Sequence, residues 1–318
     1  MNRNNEKHLI SLVGGLGNQL FQFANALDIY THSQIGFVLD FRESSASNRD
    51  IDLFEYDIQR TYISKEDLVP NKITKKIHNL FLRLENSSSY SLSTFKRIIN
   101  ASIVSRVISV VFMNYEIYSK SHRFHVKPGS KVIQIGYFQH QNWKNKEKVV
   151  KELTSLRLKE GSNHYFKMRE ILSDSDFLAV HMRFGDYETE PKFGIPNARY
   201  FGQAINQILA SADHDRIVVF TNDSKKALEK LGSGYSVMVT LISSDDNLTS
   251  SETLELMRLA KSYVISNSTF GWWGAFLSHA TTPMIICPRP WFIGLSEPKN
   301  LIPKSWIEID GFSNGLLE

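Results

Sequence analysis

The opening of the chain constrains its fold more than any other segment. An apolar run at His8–Val13 has the composition of a buried strand, and the glycine-rich segment GGLGNQ follows it directly. From Leu20 onward apolar side chains recur at helical spacing, and the run at Phe37–Phe41 predicts a second strand. A strand, a glycine turn, a helix and a strand form a βαβ unit, which predicts an α/β fold with a parallel sheet.

The rest of the chain predicts a second unit of the same kind. Strand-like and helix-like segments alternate from Phe177 to Cys287, and 318 residues suffice for two domains. We predict two Rossmann-type, doubly wound domains, over residues 1–150 and 151–318, with the last residues packing back on the first domain. Residues 60–130 carry scattered basic side chains on helix-like segments and predict a helical insertion, which is either a solvated face or a surface for anionic lipid.

Composition excludes several classes of protein. With 42% hydrophobic residues the chain has material for a core, and its one cysteine, Cys287, allows neither an intrachain disulfide nor a multi-thiolate zinc site. A pI near 8.9 suits an anionic ligand, but no basic patch interleaved with aromatic residues indicates nucleic-acid binding. Since no signal peptide or spanning segment is recognisable, we expect a cytoplasmic protein, with peripheral membrane contact at most.

The glycine-rich segment admits three interpretations. Glycines between a strand and a helix let backbone N–H groups approach an anion, but they also serve as a plain structural turn. Gly15-x-Gly17 and Asp40, at the end of the second strand, match part of the pattern for a nicotinamide dinucleotide. Leu20 stands where that pattern requires its third glycine. The third interpretation, an NAD(P)-dependent oxidoreductase, is therefore disfavoured.

Three further polar clusters follow predicted strands. In VHMRFGDY, strand alternation places His181 and Arg183 on one face at the carboxyl end, where α/β sheets bind ligands, and Asp186 follows within reach. A guanidinium there can hold a diphosphate, although a buried Arg–Asp pair beside a core histidine fits equally well. The segments SNSTF and FTND offer phosphate or nucleoside donors and acceptors, or plain helix caps. Their candidate residues are Asp223, Ser266, Ser268, Thr269 and Phe270.

No segment predicts a metal site. Asp174-Ser175-Asp176 and Asp213-His214-Asp215 have a spacing that suits a divalent cation, but both precede strands and lie at the wrong edge of the sheet. The ten histidines show no ligand spacing. We expect no metal and no cofactor.

In the order and spacing of its motifs the chain resembles glycosyltransferase family 11, the bacterial α-1,2-fucosyltransferase type. The resemblance runs from about Ser11 to Phe292 and is carried by GGLGNQLFQFANAL, IGYFQ, VHMRFGDY, FTND, SNSTFGWWGAFLS and PRPWF. It implies a GT-B-like fold whose two Rossmann-type domains face a cleft, the first on the acceptor side and the second binding the GDP-sugar. It also implies GDP-β-L-fucose as donor, inversion at the anomeric carbon and no metal. The implied acceptor is a galactoside hydroxyl of an oligosaccharide or lipid-linked glycan in surface-glycan or O-antigen synthesis.

The resemblance also implies roles for the candidate residues. Arg183 would hold the β-phosphate, while His181 and Asp223 would lie near the guanosine. Ser266 and Ser268–Phe270 would line the phosphates. Gly17 and Asn18, from the other domain, would reach the diphosphate or the acceptor.

The chain departs from the family at one position. The family usually shows His-x-Arg-Arg-x-Asp, and here Phe184 replaces the second arginine. Strand alternation points this side chain away from Arg183. The replacement leaves open a related donor such as GDP-colitose, or a protein that binds nucleotide sugars or glycans without turnover. We expect Arg183 to stabilise the departing diphosphate and Asp186 to act as the base, with Glu188 and Glu190 behind it.

Overall fold

The chain divides into two compact units, Met1–Leu156 and Arg157–Glu318, a few residues after the boundary predicted at 150. The computed structural model describes residues 7–12, 14–33, 36–40, 51–58, 115–118, 131–134, 137–144, 146–235, 237–295, 297 and 300–313.

Among its described residues, the first unit contains a four-stranded parallel sheet. Its strands, in the order β2-β1-β4-β3, are β1 (Lys7–Ser11), β2 (Gly36–Asp40), β3 (Tyr115–Tyr118) and β4 (Lys131–Gln134). Helix α1 (Leu16–Ser33) connects β1 to β2, a 3₁₀ turn covers Asp52–Glu55, and helix α2 (Glu147–Thr154) follows β4. Strand β2 lies on one side of β1, and β4 and β3 lie on the other side. The strand order therefore reverses between β1 and β4, which is the switch point of this sheet.

The predicted helical insertion needs a correction. For Tyr115–Tyr118, within the predicted range 60–130, the prediction is wrong, because these residues form β3 and pair with β4. The segment YEIY combines aromatic and β-branched residues, which favour an extended backbone. The rest of this range, residues 60–114 and 119–130, lies outside the described residues.

The second unit contains a six-stranded parallel sheet in the order β10-β9-β8-β5-β6-β7. Its strands are β5 (Phe177–Met182), β6 (Arg216–Thr221), β7 (Met238–Ser243), β8 (Ser262–Ile265), β9 (Met284–Arg289) and β10 (Ile307–Asp310). The helices are α3 (Asn163–Ser173), α4 (Asp186–Thr189), α5 (Ala198–Leu209), α6 (Ser224–Leu231), α7 (Ser250–Met257) and α8 (Thr269–Phe276). Counted from β5, this is the 3-2-1-4-5-6 order of a Rossmann sheet.

Strand β5 forms the centre of the second unit. All six of its residues are buried, as expected of a parallel strand with helices on both faces. Tyr200 of α5 anchors that helix to the sheet, since its hydroxyl donates to the carbonyl of Ile265 at 2.6 Å. Because β5 and β8 pair in parallel at the centre of the sheet, the residues that follow these two strands lie side by side.

Two elements differ from the sequence-based expectation. The helical pattern over 144–172 corresponds to two helices, α2 and α3, because Ser162 caps a new helix by accepting a hydrogen bond from the amide of Tyr165 at 3.0 Å. Ile307–Asp310 forms the edge strand β10 in the second sheet. Residues 314–318 lie outside the described part, so the predicted return of the C-terminus to the first domain stays a prediction.

Candidate active site

The candidate residues of the second unit follow β5, β6 and β8, at the carboxyl edge of the sheet. Strands β5 and β8 are neighbours, although the chain reaches β8 only after building β6 and β7 on the other side of β5. This is the reversal point at which open α/β sheets bind ligands. His181 and Arg183 lie at the end of β5, and Ser266 and Ser268 lie at the end of β8.

His181 is buried and held on two sides. Its Nδ1 lies 3.0 Å from the hydroxyl oxygen of Ser266, and its ring stacks on Phe270 with 5.6 Å between centroids. Burial, and secondarily the charge of Arg183, lowers the pKa of His181 to about 3. The imidazole is therefore neutral near pH 7 and joins the ends of β5 and β8 through a hydrogen bond without charge.

The close approach of α8 to His181 depends on a glycine. A Cβ at Gly271 would lie 2.7 Å from Nδ1 of His181, closer than side-chain atoms come. The third position of α8 therefore has to be glycine, while the ring of Phe270 at the second position stacks on the imidazole.

Arg183 is paired and remains accessible. Its Nε and Nη2 donate to Oδ1 of Asp186 at 3.0 and 2.7 Å, and the Arg183 side chain is 37% exposed. A guanidinium carries five N–H donors, so further donors are available to a ligand. The structure brings the predicted Arg–Asp pair together at the solvent-facing edge of the sheet, which rules out the alternative of a buried pair.

Asn222 fixes the turn that carries Arg183. Its Oδ1 accepts a hydrogen bond from the amide of Phe184 at 2.8 Å, across from β6 to β5. Gly185 follows with φ of 72°, a conformation that favours glycine, and starts helix α4. The side chain of Phe184 is buried in the core beside Met182 and Tyr200. Phe184 therefore lies away from the exposed side chain of Arg183, as strand alternation predicts.

Asp223 caps α6 and belongs to a network of charges. Its Oδ1 accepts from the amide of Lys226 at 3.0 Å, and its Oδ2 lies 3.3 Å from the Lys226 ammonium. The same ammonium contacts Glu188 at 2.7 Å. The amide of Lys226 lowers the pKa of Asp223, the ammonium lowers the pKa of Glu188, and Glu188 raises the pKa of Lys226. The network links α4, next to Arg183, to the start of α6.

The segment Ser266–Phe270 begins helix α8. The Ser268 hydroxyl accepts from the amide of Phe270 at 3.3 Å, and Thr269 is the first helical residue. The N–H groups at the start of a helix favour an anion, and Ser266 is already engaged with His181. The interpretation of Ser268 as a helix cap is confirmed. The N-terminus of α8 lies at the same carboxyl edge of the sheet as Arg183.

Asn267, which the sequence analysis did not select, organises the surroundings of this helix. Its Nδ2 lies within 2.8 to 3.1 Å of the carbonyl oxygens of Phe193, Gly194 and Trp291, and its own carbonyl accepts from the hydroxyl of Tyr187 at 3.0 Å. Burial raises the pKa of Tyr187, so this phenol keeps its proton. An asparagine inside a run of four hydroxyl and amide residues after a strand was the available sequence signal.

Gly17 and Asn18 lie in the first unit, in the first turn of α1. Gly14, with φ of 80°, begins the turn, and Gln139, after β4, donates to Oδ1 of Asn18 at 3.1 Å. Gln19 ties the turn down by donating to the Gly14 carbonyl at 2.9 Å. These residues follow β1 and β4, at the switch point of the first sheet. The equivalent switch point of the second sheet lies between β5 and β8.

The aspartate pairs Asp174/Asp176 and Asp213/Asp215 precede β5 and β6, at the amino edge of the second sheet. The amide of Asp176 donates to the Asp215 carboxylate at 2.7 Å, which makes these residues part of a connection between loops. Across the described ranges, no cluster of three or more His, Cys, Asp or Glu side chains could hold a metal ion. In the same ranges, no helix has the length and hydropathy needed to cross a membrane.

Comparison with known proteins decides the family. The sequence profile described as glycosyl transferase family 11 matches residues 10–307. The chain belongs to glycosyl transferase family 11. Two Escherichia coli relatives of this transferase align with 94% of the chain: the O-antigen biosynthesis glycosyltransferase WbnK, at 27% identity over 99% of its length, and an alpha-1,2-colitosyltransferase, at 25% identity over 97% of its length.

Solved structures agree with the fold of the transferase. The α-1,6-fucosyltransferase NodZ, from Bradyrhizobium and soaked with GDP-fucose, has a TM-score of 0.50 at 12% identity, covering 86% of this chain and 92% of NodZ. A variant of Arabidopsis thaliana FUT1 in complex with GDP also has a TM-score of 0.50 at 12% identity, covering 99% of this chain and 82% of FUT1. Together with the two parallel sheets, these likenesses confirm the GT-B-like fold.

Proposed function

We propose that this family 11 transferase moves L-fucose from GDP-β-L-fucose to a galactoside hydroxyl, with inversion and without a metal, forming an α-1,2 linkage. The observation that carries the proposal is the exposed guanidinium of Arg183, placed at the carboxyl edge of the second sheet beside the start of α8. The family resemblance supports this donor, and NodZ, which shares the fold, is a fucosyltransferase soaked with GDP-fucose.

In the proposed reaction, negative charge develops on the diphosphate of the departing GDP. The acceptor oxygen forms a bond to the anomeric carbon while the bond from that carbon to the β-phosphate oxygen breaks, and the electron pair leaves with GDP. Arg183 and the N–H groups that begin α8 stabilise the diphosphate, the role that a Lewis acid takes in metal-dependent transferases. His181 is neutral and positions Ser266 without altering the charge of the site.

Asp186 is the best-placed base among the three candidates. The Glu188 carboxylate already receives the Lys226 ammonium and the amide of Gly185. Asp186 takes both Arg183 donors on Oδ1, which leaves Oδ2 to accept the proton of the acceptor hydroxyl. Glu190 is the C-cap of α4, and within the described part of the chain its side chain makes no contact that would position it as a base.

A second donor is supported by a specific relative. The alpha-1,2-colitosyltransferase aligns with the chain almost as well as WbnK does. GDP-colitose is therefore the alternative donor, with the same nucleotide and the same charge stabilisation. The name of WbnK supports a role in O-antigen synthesis. A lipid-linked acceptor and peripheral contact with the cytoplasmic face of the membrane are further parts of the proposal. The non-catalytic alternative depended on Phe184, and that side chain is buried in the core.

The test is a panel of GDP-, UDP- and dTDP-sugars, including GDP-fucose and GDP-colitose, incubated with lactose and EDTA. Nucleotide release is measured against hydrolysis without lactose. The proposal expects lactose-dependent GDP release from GDP-fucose that EDTA leaves unchanged. Release from GDP-colitose alone selects the second donor, and release only after magnesium or manganese is restored contradicts the mechanism.

A further inference from the structure

A second feature of the carboxyl edge lies beside the candidate site, at the ends of β9 and β10. It is a depression of about 430 Å³ lined by Arg289, Pro290, Asp310, Phe312 and Ser313, called here the β9–β10 depression. None of these residues belongs to the candidate active site. In the sheet order, β9 and β10 lie beyond β8, on the opposite side of β5 from the strand that precedes Asp223.

The wall of the depression is fixed by hydrogen bonds. Oδ1 of Asp310 accepts from the amides of Phe312 and Ser313 at 2.9 and 3.0 Å, and Asn197 donates to the Ser313 carbonyl at 3.1 Å. The ring of Phe312 packs where Gly194 has no side chain, since a Cβ there would lie 2.8 Å from the ring. The carbonyl of Gly194 accepts a hydrogen bond from Asn267, which follows β8. The wall of the depression is therefore connected by hydrogen bonds to the candidate active site.

The charges of the depression select the kind of ligand. Arg289 and Asp310 are register partners on adjacent strands, yet among the described residues Arg289 is exposed and forms no ion pair. Hydrogen bonds from Ser313 and from the Phe312 amide lower the pKa of Asp310 to about 2, so the carboxylate is ionised in any physiological buffer. The carboxylate repels an anion and the guanidinium repels a cation. A neutral ligand rich in hydroxyl groups suits both side chains, because its hydroxyls can donate to the Asp310 carboxylate and accept from the Arg289 guanidinium.

The position of the depression fits a sugar better than a nucleoside. In the proposed function the nucleoside lies toward Asp223, after β6, and the diphosphate lies at Arg183 and Ser268, after β5 and β8. With strands about 4.8 Å apart, the end of β9 lies about 10 Å from that of β5, on the sugar side of the diphosphate. Phe312 and Pro290 add apolar faces of the kind that the C–H face of a sugar ring covers.

We propose that the β9–β10 depression is a saccharide subsite, which binds the acceptor sugar next to the galactose that is attacked. Arg289 and Asp310 provide the hydrogen bonds of this subsite, and Phe312 provides its apolar wall. The inference rests on the proposed function, because the direction in which the donor lies determines which side the acceptor occupies.

The test compares acceptors of two lengths, methyl β-D-galactoside and lactose, with GDP-fucose as donor. Removing one charge-assisted hydrogen bond in Arg289→Gln or Asp310→Asn should lower kcat/KM for lactose by about 10-fold or more. The value for methyl β-D-galactoside and the KM for GDP-fucose should stay within about 3-fold. Glu308→Gln is the matched control, since Glu308 is exposed on the same strand and does not line the depression.

Calorimetry separates failure of this inference from failure of the proposed function. Lactose is titrated into native protein, Arg289→Gln and Asp310→Asn in the presence of GDP, which requires no turnover. Lactose binding that both variants weaken supports the subsite even where GDP-fucose proves to be the wrong donor. No lactose binding to native protein overturns the inference, as do variants that weaken GDP binding and leave lactose binding unchanged, since the depression would then bind the nucleotide.

Discussion

Arg183 donates two hydrogen bonds to one carboxylate oxygen of Asp186, from Nε at 3.0 Å and from Nη2 at 2.7 Å. The two side chains are 37% and 45% exposed, and ion pairs this accessible contribute only about 0 to 1 kcal/mol to stability. A diphosphate can therefore take over the guanidinium at little cost to the fold. We expect Asp186 to hold Arg183 at the edge of the sheet until the donor binds.

Replacing Asp186 by asparagine separates the two roles of this carboxylate. The amide keeps an acceptor oxygen for Arg183 but cannot take a proton, so we expect kcat to fall by about 100-fold or more. The dissociation constant for GDP, measured by calorimetry, should change little or decrease, because a negative charge near the diphosphate is removed. A variant that retains most of its kcat would remove Asp186 from the role of base and turn attention to Glu188 and Glu190.

Phe184 allows a test of the position at which the chain departs from its family. Its side chain is 2% exposed, so Phe184→Arg would lose apolar burial and place a charge in the core. We expect the free energy of unfolding to fall by about 3 kcal/mol or more, with no gain in activity. Phe184→Leu, the control, should cost about 1 kcal/mol. Urea denaturation measures both, and a stable, more active Phe184→Arg enzyme would show that the position reaches the substrate.

His181 should make stability depend on pH. Its pKa is about 3 in the folded protein against 6.5 in the unfolded chain, so the unfolded chain binds more protons between these values. Stability is complete above pH 6.5 and decreases as the pH falls toward 3, and the contribution lost by pH 4 is about 3 kcal/mol. Denaturation of native protein and His181→Asn at pH 7, 5.5 and 4 checks this. Parallel curves for the two proteins would show that His181 does not carry the dependence.

Lys226 is expected to act through the position of α4. Its ammonium contacts both Glu188 and Asp223, and Lys226→Met removes that link next to Arg183. We expect kcat/KM for the donor to fall by about 10-fold, since small displacements of a binding group are costly in catalysis, without a measurable change in Tm. Lys225→Met is the control, since the Lys225 side chain is exposed and only its backbone amide, which the substitution keeps, contacts Asp223. Equal effects of the two substitutions would exclude a positioning role.

Much of the fold follows from patterns in the sequence. Strands β5 and β6 each contain a buried apolar run, FLAV at 177–180 and IVVF at 217–220, and the glycine turn before α1 marks the first βαβ unit. Helix α1 begins at Leu16, before the predicted start at Leu20, because its first turn is polar and is stabilised by Gln19 and Gly14. Apolar periodicity detects the face that packs on the sheet and misses such a turn.

The sequence predicted which residues of the candidate site lie at the ends of strands. It did not predict most of the contacts that these residues make there. His181 ends up near the end of β5, and Arg183 pairs with Asp186 just after it, as their positions in the sequence predict. Asn222 and Lys226 escaped notice because their partners, Phe184 and Glu188, lie 38 positions away in the sequence. The β9–β10 depression was also missed, since edge strand β10 is short and alternates apolar with charged residues.

The most direct test of the central claim measures kcat/KM for GDP-fucose in EDTA, with native protein and with Arg183→Ala and Arg183→Lys. We predict that native activity is unaffected by EDTA and that Arg183→Ala loses about 100-fold or more. Arg183→Lys should recover only part of this loss, because an ammonium lacks the bidentate fork of a guanidinium. An Arg183→Ala enzyme that retains most of its activity, or a native enzyme that EDTA inactivates, would contradict the account.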